Sequence, residues 1–95
     1  MEEAFRQFLQ KQKLADNTIR DYVYWVKRVM KREELTDWWF LAAKINVVYV
    51  KYERGGEEAE FGEKGNRSCI NGLKKFKEYF NQMPSEIRAI INKLN

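Results

Sequence analysis

Leu14-Ala15-Asp16-Asn17-Thr18-Ile19-Arg20-Asp21-Tyr22-Val23-Tyr24-Trp25-Val26-Lys27-Arg28-Val29-Met30-Lys31-Arg32 carries two patterns at once. Ile19, Tyr22, Val23, Val26, Val29 and Met30 recur at i, i+3, i+4, i+7, i+10 and i+11, which lays them along one side of a 3.6-residue helix. Arg20, Tyr24, Lys27 and Lys31 recur at i, i+4, i+7 and i+11 and fall in a narrow band pointing away from that side. The first stripe predicts a helix against a core. The second is a candidate ligand surface.

Working outward, Glu2 to Lys13 reads as a first helix with Ala4, Phe5, Phe8 and Leu9 on one face and two acids in its first turn. Asp16 or Asn17 is placed to cap the second helix, which should run to about Glu34. Thr36 or Asp37 caps a third, with Leu41, Ile45, Val48, Tyr49 and Tyr52 at helical spacing. Val47-Val48-Tyr49-Val50 has strand propensity, but the longer frame fits period 3.6 and no neighbouring segment offers a strand partner. Gly55-Gly56 ends that helix, and Glu57 to Gly65 reads as a solvated acidic connector.

Asn66 or Ser68 opens a fourth helix with Cys69, Ile70, Leu73, Phe76 and Phe80 inward, and Gly72 within it predicts a close approach by another helix. Pro84 and Ser85 start a last helix carrying Ile87, Ile90, Ile91 and Leu94. The expected fold class is all-α, a compact four- to five-helix bundle. Residues 1–82 form its body and 83–95 a trailing helix.

Ninety-five residues allow one core, and 15% aromatics supply it. The net charge of +4 favours a polyanionic partner. Its distribution is uneven: 0 over 1–16, +2 over 17–35, +1 over 36–56, −3 over 57–66 and +4 over 67–95. A single Cys69 cannot form an internal disulfide, and no signal-peptide or transmembrane pattern is present, so a cytoplasmic location is expected. Zero histidines and one cysteine argue against a zinc site and remove the commonest general base, so neither a metal nor a cofactor is expected and an independent enzyme is disfavoured.

Phe8-Leu9, then Leu14-x-x-x-Thr18-Ile19-x-x-Tyr22-x-x-x-Val26, then Ile45-x-x-x-Tyr49-x-x-Tyr52, then Ile70-x-x-Leu73-x-x-Phe76-x-x-Tyr79-Phe80 together resemble the N-terminal core-binding, SAM-like domain of tyrosine recombinases, the phage-type integrases. The resemblance covers about residues 4 to 80. Ala15 stands where that family has a small hydroxylated cap, and Gly65-Asn66 where it has a Thr-Ile pair.

The resemblance implies a non-catalytic half-clamp on duplex DNA, as in DNA integration and recombination. Asn17, Thr18, Arg20, Tyr24, Lys27 and Lys31 would contact DNA from the second helix, and Arg67, Asn71 and Lys74 from the fourth. Asn17, Arg20 and Asn71 are the expected readers of base edges. The family's catalytic Arg, Lys, His and nucleophilic Tyr set is absent from this chain, which is thus expected to be a dissected half or a small free-standing relative. A catalytic recombinase domain or other subunits could then meet the last helix. The alternative is a helical protein-interaction adaptor using Trp38, Trp39 and the C-terminal apolar helix.

Overall fold

A computed structural model describes residues 1–94, and among them there are six helices and no strand. Asn95, the end of the expected 83–95 segment, lies outside the described residues. The helices are α1 (Glu2–Lys11), α2 (Asp16–Arg32), α3 (Trp38–Tyr52), α4 (Ala59–Gly62), α5 (Ser68–Asn81) and α6 (Ser85–Asn92). A Cα radius of gyration of 12.6 Å is that of a compact body of this length. The all-α bundle expected from the periodicities is the fold observed.

The apolar stripe of α2 is the middle of the core: Ile19, Val23, Val26, Val29 and Met30 are all buried. α5 lies across it with Cys69, Ile70, Leu73, Phe76 and Phe80 inward. Gly72 is the crossing point. A Cβ there would stand 2.9 Å from the Tyr22 carbonyl oxygen and 3.1 Å from Val26 Cγ2, so the predicted close approach is between α5 and α2.

α1 closes one side through Phe5 and Leu9. Phe5 meets Phe76 edge-on at 5.1 Å between ring centroids, and Trp38 packs on both, at 6.0 Å from Phe5 and 5.5 Å from Phe76. Trp38 therefore belongs to the core more than to an open surface. α3 covers α5 with Leu41, Ala42, Ile45, Val48 and Tyr52, and α6 packs on α3 and sends Ile91 into the same core.

The acidic connector differs from expectation. Ala59–Gly62 forms the single-turn α4, and Phe61 is buried against Trp25 and Tyr52, with the Arg32 guanidinium 4.1 Å over its ring. One buried aromatic side chain has enough apolar area to hold an otherwise charged segment on the bundle. Arg32 also reaches Glu58 at 2.6 Å, while the Tyr52 hydroxyl donates to Glu33 at 2.7 Å, so the ends of α2, α3 and the connector are tied together.

The caps agree only in part. Asp37 caps α3, accepting from the Trp39 N–H at 2.8 Å. At α2, however, the cap position is Ala15, with Asp16 already in the first turn and no side-chain cap. α5 likewise starts without one: its cap is Arg67, at φ 72°, which with Gly65 and Asn66 makes three successive left-handed residues. A side chain at Gly65 would run into the Trp25 indole, so that turn is held against α2.

Candidate nucleic-acid interface

The polar band of α2 lines one groove. Its walls are Arg20, Tyr24, Lys27, Arg28 and Lys31 from α2 and Arg6 from α1, and Val23 lies between them. Helical spacing alone brings Arg20, Tyr24, Lys27 and Lys31 to one side. The packing of α1 against α2 adds Arg6. Five cations thus converge around Tyr24, whose ring is half exposed.

Few anions answer them. Glu2 takes Lys27 at 3.3 Å and Arg6 at 3.2 Å, and Asp21 stands 3.5 Å from Arg20. Partial burial works against the Glu2 carboxylate, but the hydrogen bonds and charges of Lys27 and Arg6 together hold it below its ordinary pKa. Arg28 donates to the Tyr24 hydroxyl at 2.8 Å, and its guanidinium lies 5.6 Å from the Trp25 ring centroid. That contact fixes the edge of the Tyr24 ring. Lys27 and Lys31 continue into an adjoining groove with Met30, Glu34, Leu35, Thr36 and Trp38.

Asn17 is exposed and Thr18 half-buried in the first turn of α2, beside backbone N–H groups that no side chain caps. Those groups carry partial positive charge, though Asp16 sits among them.

Arg67, Asn71 and Lys74 do not join this groove. Arg67 donates to both Glu63 carboxylate oxygens at 2.7 Å. Asn71 is half-buried, and Lys74 lines a different recess with Tyr49, Lys77, Glu78 and Asn81. The nine expected contact residues thus fall into an α2 group and an α5 group. Arg6 and Arg28 were not singled out by the sequence. Arg28 is four residues from Tyr24 and could have been found on that spacing; Arg6 reaches the groove only through tertiary packing, which leaves no local signal.

Acid–base chemistry has little to work with. Cys69 is buried, and burial pushes its thiol up to about 11, with Arg32 pulling weakly the other way. Burial likewise raises Tyr79. Among the described residues no group of three or more His, Cys, Asp or Glu side chains could hold a metal ion. No helix among them is long and apolar enough to cross a membrane.

Comparison of the chain with protein families, with characterised proteins and with solved structures finds no match.

Proposed function

We propose that the α2 groove binds the phosphate backbone of duplex DNA without catalysis, the role that the resemblance to a recombinase core-binding domain implies. The observation that carries this reading is the convergence of Arg6, Arg20, Lys27, Arg28 and Lys31 on one groove, where Glu2 and Asp21 form the ion pairs and no acidic side chain lines the wall. Such an array releases counterions when phosphates replace them, which gives affinity with a steep salt dependence and little sequence preference. Asn17 and Arg20 are the groups placed to add base-edge contacts. Arg67 contributes only by exchanging Glu63 for a phosphate, so the α5 group is secondary in this reading.

An anisotropy titration with mixed-sequence duplex at two salt concentrations tests it. In the Lys27→Gln, Lys31→Glu double variant, affinity should fall at least tenfold and the slope of log K against log salt by roughly 2, about 0.9 per lost phosphate contact. Both side chains are exposed and the one ion pair lost, Lys27–Glu2, lies at the surface, so helicity should hold and melting should shift little. An unchanged slope in a folded variant removes the assignment.

A further inference from the structure

Seven of the eight large apolar side chains standing open among the described residues belong to two neighbouring helices. Trp39, Phe40, Val47 and Val50 are on α3, with Val47 73% exposed; Ile87, Ile90 and Leu94 lie in or just beyond α6. Between Trp38 and Tyr52 the only charged residues are Lys44 and Lys51, so α3 is apolar nearly all round. Such a helix is ordinarily covered on every side. Here the bundle covers the side of Leu41, Ile45, Val48 and Tyr52, while Phe40, Val47 and Val50, at i, i+7 and i+10, stand open on the other.

We propose that this face joins two copies of the chain, with their α3 helices antiparallel across a two-fold axis. Two observations select a second copy as the occupant. The seven side chains expose on the order of 700 Å², more than monomers usually leave open and close to the ~800 Å² per partner of a standard interface.

The face is also complementary to itself when reversed. Its first end is bulky, with Trp39 and Phe40, and its second is small, with Val47 and Val50 beside a shallow recess bounded by Lys51, Gly55, Gly56 and Glu57. A Cβ at Gly55 would touch nothing within 4 Å, so the recess has room there. Antiparallel pairing brings Trp39 and Phe40 of one copy to Val50 and the recess of the other. Aromatic anchors seated in pockets are what such contacts are usually built on.

This inference stands independently of the nucleic-acid reading.

Sedimentation equilibrium up to about 200 µM decides it, well above the dissociation constant expected of a contact this size. The chain should approach twice its 11.5 kDa mass, and about 1 M sodium chloride should leave the dimer in place because the contact is mainly apolar. Val47→Glu should be a monomer of unchanged helicity and melting, and Trp39→Ala should weaken association about tenfold or more. A wild-type chain that stays monomeric at the highest concentration overturns the proposal. So does a dimer indifferent to Val47→Glu.

Discussion

Gly72 sets how near α5 comes to α2. Alanine there would gain about 1 kcal/mol of helix propensity, but its Cβ would meet the Tyr22 carbonyl oxygen at 2.9 Å, a backbone atom that cannot rotate away. Overpacking of this kind costs about 1 to 3 kcal/mol, so Gly72→Ala should lower stability by on the order of 1 kcal/mol in urea unfolding. A gain would mean that α5 slides freely on α2. The sequence marked this glycine because it interrupts an otherwise good helix; it did not say which helix would come close. The groove has the same division. Arg20, Tyr24, Lys27 and Lys31 were legible because one helix spaces them, whereas the Arg67–Glu63 pair depends on a left-handed turn that no periodicity records.

The helices most faithful to their patterns are α2, α3 and α5, each long enough for its apolar stripe to repeat. α4 was not legible because a single turn has no period, and Phe61 is one aromatic in an acidic run. Helix ends were read less well than helix bodies. At the end of α2 the Leu35 N–H returns to the Met30 carbonyl at 2.8 Å and the Glu34 N–H to that of Lys31 at 3.2 Å, the two bonds of a Schellman closure. Glu34 sits at φ 58° to make it, a conformation that glycine adopts without a Cβ penalty. Glu34→Gly should therefore raise stability by about 0.5 to 1 kcal/mol, since relief of the left-handed strain outweighs the freedom gained by the unfolded chain. Thermal melting at one pH measures it, and a loss would show that the Glu34 side chain is contributing more than its backbone conformation costs.

Across the whole molecule, the absence of histidine leaves no side chain with an ordinary pKa between 5 and 8, so stability should change little there. The alkaline side is different. Burial pushes Cys69 to about 11, and burial followed by the hydrogen bond to Glu33 raises Tyr52 well above its ordinary 10. Folded-state pKa values above the unfolded ones mean that the unfolded chain loses its protons first. The stabilisation is complete below about pH 9 and is lost as pH climbs through the folded values. Cys69 alone accounts for roughly 2 to 3 kcal/mol. Melting followed from pH 7 to 11 should show a flat region and then a fall of about 10 °C or more, smaller in Cys69→Ala. A flat profile to pH 11 would show that neither group is as enclosed as the packing indicates.

Glu2 gives the groove one more property. Its carboxylate pairs with Arg6 within α1 and with Lys27 across to α2, so in the proposed reading a phosphate that captures Lys27 displaces one contact between α1 and α2. On that reading, polyanion binding and the Glu2 contact compete for a single charge, Lys27. By reciprocity, whatever factor the Glu2–Lys27 contact withholds from phosphate binding, loss of the Glu2 carboxylate returns as affinity. In that reading Glu2 is a tethered rival of the phosphate for Lys27, on the helix that also supplies Arg6.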